Sequence, residues 1–245
     1  MKNLMKRSAN LSACLLLALT AIFTTPATAA QPSFDLAEIE KPRILKKAAA
    51  YLDEAPVTVT AQRAERSTGG LHDFYSEGDY WWPDPDNPEV PYIRRDGMTN
   101  PDNFVAHRQA MMRLSEIIGT LASAYIVTSE SRYASHAHSH LKAWFVDEST
   151  RMNPSLLYGQ AIKGRHTGRS IGIIDTIHLT EVARGAKILG ERGALPAKDY
   201  ESIKIWFSEY LDWLTTHPYG KRERVHPNNH GVCWSMQAAA FADLV

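Results

Sequence analysis

From Asn103 to Val127 the apolar residues Phe104, Met111, Leu114, Ile117, Ile118, Leu121 and Tyr125 recur mostly at three- and four-residue intervals. That spacing puts side chains on one broad face of an α-helix, and a stripe so long must be buried against other elements. The rest of the chain supplies them in kind. Leu36 to Leu52, with Leu36, Ile39, Ile44, Leu45, Ala48 and Leu52 in helical register, reads as a helix, as do Arg132 to Val146, Asp175 to Leu189 and Ala197 to Leu214. A further helix begins at His230. Asn100, Asp102 and Asn103 are cap candidates for the long central helix, and only Val57-Thr-Val-Thr60 reads as extended. Helix after helix with almost no strand signal predicts an all-α fold, either a bundle or a ring of helical hairpins; periodicity does not choose between them.

Residues 1–30 stand outside that fold. Lys2, Lys6 and Arg7 precede an apolar run from Leu11 to Phe23, and Ala27-Thr-Ala29 offers a small-residue cleavage site, the pattern of a secretory signal peptide. The run is too short for a convincing membrane span. Leu11-Ser-Ala-Cys14 matches a bacterial lipoprotein box superficially, but no apolar region precedes Cys14. The expectation is one domain, 31–245, exported to the periplasm or secreted, with no membrane anchor after cleavage. The remaining cysteine, Cys233, excludes an internal disulfide and reads as a small buried hydrophobe. The chain carries 27 basic and 27 acidic residues, and losing the three basic residues of the signal leaves 24 against 27. That balance is no footprint for nucleic acid or an anionic membrane, so a polyanionic partner must be met by a local basic cluster.

Two segments carry chemistry. In His226-Pro-Asn-Asn-His-Gly-Val-Cys-Trp-Ser235 an amide, Asn229, directly precedes an imidazole, His230, at a helix entry where Asn228 or Asn229 is the N-cap. The imidazole can take a proton near neutral pH while the amide donates to a carboxylate whose α-carbon is becoming negative. Caps and loops use the same residues structurally. The second segment, Asp73 to Met98, is too rich in proline and glycine for a regular helix or central strand, yet it holds Phe74, Tyr75, Tyr80, Trp81, Trp82 and Tyr92. Aromatic faces beside Arg94 and Arg95 suit stacking on sugar rings and clamping of acidic groups. The competing role for at least one of the two tryptophans is to plug a hydrophobic gap under the loop.

Other constellations are weaker. In His136-Ala-His-Ser-His140 only His136 and His140 share a helix face, and two ligands without a placed carboxylate favour a solvated face over a metal site. The glycine-punctuated loop Tyr158 to Gly172 carries Lys163, Arg165, His166 and Arg169. It lacks the strand-then-helix setting of a phosphate loop, and its basic residues suit a carboxylated glycan instead. Glu77 and Asp79 are the carboxylates nearest to a hydrolase pair, but their two-residue spacing gives no evidence of the separation an inverting glycosidase needs. No cofactor and no metal is expected.

From about Pro56 to the last residue the chain resembles the bacterial alginate lyases built on an α/α toroid. The resemblance rests on Tyr75-Ser-Glu-Gly-Asp-Tyr-Trp-Trp-Pro-Asp-Pro85, Tyr92-Ile-Arg-Arg-Asp-Gly-Met98 with Thr99-Asn-Pro-Asp-Asn103, Ala143-Trp-Phe-Val-Asp147 with Thr150-Arg-Met-Asn-Pro154, Gly172-Ile-Ile-Asp175, and Asn228-Asn-His230. It implies a toroid of helical hairpins around a cleft, and β-elimination on a 4-linked uronan, alginate first. It implies His230 as base and Asn229 as the group that neutralises the uronate carboxylate. Tyr80, Trp81, Trp82, Arg94 and Arg95 would hold the acidic polysaccharide, with Arg165, His166 and Arg169 as a second bank. The family's site is completed by a tyrosine about fifty residues further on, beyond Val245, so an incomplete toroid is expected here. The other readings carried forward are a lyase for a glucuronan-type uronan, an inverting hydrolase on a similar toroid, and a non-catalytic glycan-binding protein.

Overall fold

The helices of the computed structural model, which describes residues 34–245, follow the apolar periodicity. They are α1 (Leu36–Tyr51), α2 (Ala106–Thr128), α3 (Ser131–Phe145), α4 (Leu179–Glu191), α5 (Ala197–Thr216), α6 (Pro218–Arg224) and α7 (Asn229–Leu244). The expected signal segment, 1–30, lies outside the described residues. Buried Met111, Leu114, Ile117, Ile118 and Leu121 give α2 the central place, packed against α1, α3 and α4. At Gly185 of α4 a Cβ would come 2.6 Å from Ile118 Cγ2, so the glycine lets α4 lie close on α2. Aromatic residues seal the junction of α3, α5 and α7. Phe145 lies 4.7 Å from Trp206 and 5.1 Å from Phe207, and Phe207 lies 5.2 Å from Phe241, ring centre to ring centre.

Several local expectations change. α6 has no apolar periodicity and does not stand out in the sequence. The expected helix from Asp175 begins instead as a 3₁₀ segment, Ser170–Thr176, with α4 starting at Leu179. The extended Val57–Thr60 is largely a 3₁₀ turn, Val59–Ala61, capped by the Thr58 hydroxyl. The N-cap of α2 is Val105, with no side-chain cap bond. Asn100 and Asn103 are buried instead in the aromatic loop: their amides donate to Trp81 O at 3.0 Å and to Gly78 O at 3.1 Å. A buried carbonyl without a donor is costlier than an uncapped helix end near solvent, and that decides where the amides go.

Short strands position the loops. β1 (Tyr75–Glu77) pairs in parallel with β4 (Tyr158–Ala161), and β2 (Trp81–Trp82) pairs antiparallel with β3 (Ile93–Arg94), Trp81 opposite Arg94. A polar knot ties the 3₁₀ segment to α5 and α7. The buried Thr176 hydroxyl lies 2.7 Å from both Tyr210 Oη and Gln237 Oε1, and Gln237 Nε2 donates to Ile173 O at 3.1 Å. With one proton to share between Gln237 Oε1 and, at 2.9 Å, Ile173 O, Thr176 accepts from Tyr210.

The histidine-rich helix is not a solvated face. His140 is buried, with its Nε2 3.1 Å from Glu54 O and 3.3 Å from His136 Nε2, while His138 pairs with Asp199 at 2.7 Å. Burial first, then the charges of His136 and Arg113, push the His140 imidazole down to about 4. The unfolded imidazole takes its proton near 6.5, the folded one only near 4, so in that window the unfolded state binds more protons. Stability therefore falls as pH drops from 6.5 to 4, by up to about 3 kcal/mol. Urea midpoints across that range should fall less steeply in His140→Gln than in the parent; equal slopes would remove His140 as the cause.

Candidate active site

β2, β3, β4, the 3₁₀ segment and the start of α7 converge on a cleft of about 490 Å³. It is lined by Asp79, Tyr80, Trp81, Arg94, Gln160, Arg169, Ile171, Ile174, Asp175 and His230. Its floor is a charge network. Asp175, buried on the 3₁₀ segment, accepts from Ser76 Oγ at 2.5 Å, from Arg108 Nη2 at 3.3 Å and from Gln160 Nε2 at 3.3 Å. Arg108 also donates to Asp79 at 2.9 Å and to Glu77 O at 3.3 Å. Burial pushes the Asp175 carboxyl up, and the Arg108 charge is the main counterweight.

Gln160 joins this floor to the cationic wall. Its φ of +47°, rare for a residue with a Cβ, turns its carbonyl to accept from Arg169 Nε at 2.7 Å while its side-chain oxygen accepts from Arg169 Nη2 at 3.2 Å. The backbone behind is held close, since a Cβ on Gly172 would come 2.5 Å from the Gly159 carbonyl carbon. Among the described residues the Arg169 side chain thus has only uncharged hydrogen-bond partners. Burial lowers its pKa most, the charge of Asp175 opposes that, and Arg94 lowers it further. Two guanidinium groups therefore line one cleft: Arg94 is paired with Asp96 at 2.8 Å at the exposed rim, while Asp79 and Asp175 are engaged by Arg108.

His230 enters from α7. Asn228 is the N-cap, its Oδ1 accepting from His230 N at 3.0 Å and lying 2.9 Å from His226 Nδ1. His230 Nδ1 lies 2.6 Å from Oε1 of Glu223, a wholly buried residue of α6. Among the described residues Nε2 has no hydrogen-bond partner. The Glu223 carboxyl is pushed up by burial, against the pull of His230.

The structure brings Tyr80, Trp81, Arg94, Arg169 and His230 to one cleft and separates the other candidates from it. Asn229 is exposed on the first turn of α7, outside the cleft lining. Trp82 is held by the loop itself, its indole donating to Met98 O at 2.8 Å and its ring covered by Arg95 at 5.2 Å. Arg165 donates to Tyr92 O at 2.7 Å and lies over Trp81 at 5.3 Å. With His166 it lines a neighbouring basic pocket that also holds Arg66 and Lys163. Sequence reasoning missed Gln160, Asp175, Arg108 and Glu223. Gln160 lies in the basic loop Tyr158 to Gly172, and Asp175 closes the Gly172-Ile-Ile-Asp175 motif. Glu223 had no signal.

The two tryptophans should therefore part company. Trp81→Ala is expected to weaken oligouronate binding by ~0.5–1.5 kcal/mol, roughly 2- to 12-fold in Kd, with little change in melting temperature. Trp82→Ala should lower stability and leave affinity close to the parent. Calorimetric titration beside thermal melts reads both; the reverse assignment would mean that Trp82 is the sugar platform.

Fold and site together define a helical-hairpin protein whose cleft combines aromatic rings, guanidinium groups and one carboxylate-bound imidazole. The chain belongs to the alginate lyase family, whose model matches residues 58–245. Among solved structures it is similar to an alginate lyase from Bacteroides ovatus, with 34% sequence identity and a TM-score of 0.77 over 83% of this chain and 54% of that one. The chain thus spans about half the length of that structure. No curated protein matches it.

Proposed function

We propose that this protein is a polysaccharide lyase that cleaves a 4-linked uronan, alginate first, by β-elimination. The observation that carries the reading is His230: one ring nitrogen is bound to a buried carboxylate, the other has no hydrogen-bond partner among the described residues, and the ring shares its cleft with Arg94 and Arg169. A uronate carboxylate between the guanidinium groups acidifies the C5 proton. His230 removes that proton, the electron pair forms the C4–C5 double bond, and the C4–O4 bond breaks as O4 takes up a proton. Tyr80 brings to the same cleft a phenol hydroxyl, the kind of donor O4 needs as it leaves. Trp81 offers a ring face for stacking. In this geometry Arg169 and Arg94 are better placed than Asn229 to meet the reacting carboxylate. Arg165 and His166 serve a sugar further along the chain, and the hairpins form part of an α/α toroid. The N-terminal segment directs the chain to the periplasm.

Hydrolysis fits less well. Glu77 is buried and spent on a bidentate pair with Arg66 at 2.7 and 2.5 Å and on Phe104 N at 2.7 Å. Asp79 and Asp175 share one arginine, so neither is a free carboxyl poised across a glycosidic bond with room for water. The deciding experiment follows ultraviolet absorbance of the unsaturated uronate in parallel with reducing ends, on alginate and on a glucuronan. Both signals rise for a lyase; new reducing ends without absorbance would mean a hydrolase, and saturable binding with neither would mean a binding protein.

A further inference from the structure

We propose that Glu223 is a positioning residue that holds His230 in the Nδ1–H tautomer, so that the Nε2 lone pair is the one presented to the cleft. The inference rests on the reading of His230 as base. Glu223 has no exposed surface, its Oε1 lies 2.6 Å from His230 Nδ1, and its Oε2 has no hydrogen-bond partner among the described residues. An ionised carboxylate only accepts, so the proton in that bond resides on Nδ1, and a neutral imidazole carries just one. Nε2 is then bare, the state a base requires. Were the proton on Glu223 instead, Nδ1 would accept, Nε2 would carry the hydrogen, and the ring could not take a proton from C5.

The setting is built to keep that carboxylate in place. α6 is capped by the His217 ring, which accepts from Tyr219 N at 3.2 Å, and is tied to the loop before the 3₁₀ segment by Tyr219 Oη donating to Gly168 O at 2.9 Å. Gly220 lies so close to the Leu214 backbone that no Cβ fits between them. One turn later Glu223 points at α7, facing His230, with His226 and Cys233 as the other titratable groups that sense it. A half-satisfied buried carboxylate costs stability that an apolar residue of similar size would not. Among the described residues its one hydrogen bond goes to the imidazole at the cleft.

The test is nitrogen-15 NMR of the imidazoles in the intact chain at pH about 8, where an ordinary histidine is neutral, alongside kcat and KM for unsaturated-product formation. The parent should show protonated Nδ1 and bare Nε2 at His230. Glu223→Leu should shift the ring toward the Nε2–H tautomer and lower kcat ~10²-fold or more, toward the ~10⁴ that a wrong-tautomer imidazole costs a serine protease, with KM little changed. Should the leucine variant not fold, Glu223→Gln keeps the shape and should give mixed tautomers with an intermediate kcat. Protonated Nε2 in the parent, or the parent's tautomer and kcat in both variants, would overturn the proposal. A parent that makes no unsaturated product would sink the base reading instead, and the tautomer shift alone would then decide the role of Glu223.

Discussion

His230→Asn should lose at least ~10²-fold in kcat, the usual contribution of a positioned base, while keeping close to the parent's melting temperature. Asparagine is the informative replacement because its amide nitrogen can occupy the place of Nδ1 and go on donating to Glu223, 2.6 Å away in the parent. The variant removes the base and leaves the buried carboxylate with a partner. His230→Ala should be equally slow but also less stable, since it strands an acceptor that is wholly buried; leaving a buried charged group unsatisfied costs about 1–3 kcal/mol or more. α7 itself should survive both changes, because its N-cap bond is donated by the backbone N–H of residue 230 to Asn228 Oδ1. Product absorbance and thermal melts on the two variants separate chemistry from folding. Near-parental turnover in His230→Asn would take His230 out of the mechanism.

What the sequence discloses, and what it hides, follows from which forces leave a periodic trace. α2 and α5 are legible because their buried residues recur every three or four positions and the core is contiguous. α6 leaves no such trace: Pro-Tyr-Gly-Lys-Arg-Glu-Arg looks like a charged turn, and its helix is held by a cap, a tyrosine hydroxyl and one buried acid. Glu223 thus reads as a surface charge, since nothing local marks a carboxylate that is buried by residues seven positions on. The Asn228-Asn-His230 signal was legible because an amide and an imidazole at a helix entry are informative as chemistry. Which asparagine caps, and which faces outward, depends on the angle at which the chain enters α7. Asn100 and Asn103 teach the same lesson. Their local context suits a cap, and tertiary burial assigns them to loop carbonyls.

Arg108→Met is expected to be among the most destabilising single changes near the cleft, by about 3–5 kcal/mol, because it breaks a buried charge pair from one side. Asp175 would keep Ser76 and Gln160 as donors but lose its countercharge inside the protein. Burial already pushes its carboxyl up, so without Arg108 the folded state would hold a proton there to higher pH than the unfolded chain does. The loss of stability should consequently be smaller in acid, where the carboxyl is protonated in both states, and larger toward neutral pH, where keeping it neutral or charged is costly. Arg108→Met/Asp175→Asn should recover a large part of the loss, since it removes the buried carboxylate together with the guanidinium and leaves only the part-exposed Asp79 without its partner, and the double-mutant cycle should return a coupling of about 1–3 kcal/mol. Activity should not return with stability, because the Asp175 carboxylate also accepts from the side-chain amide of Gln160, whose backbone and side-chain oxygens hold Arg169. A double variant both stable and fully active would show that Arg169 keeps its place without this network, and that the cleft's cationic wall is set by the loop backbone alone. Equal stability of Arg108→Met and the parent, measured by urea midpoints at neutral pH, would show that solvent replaces the guanidinium at the cleft floor.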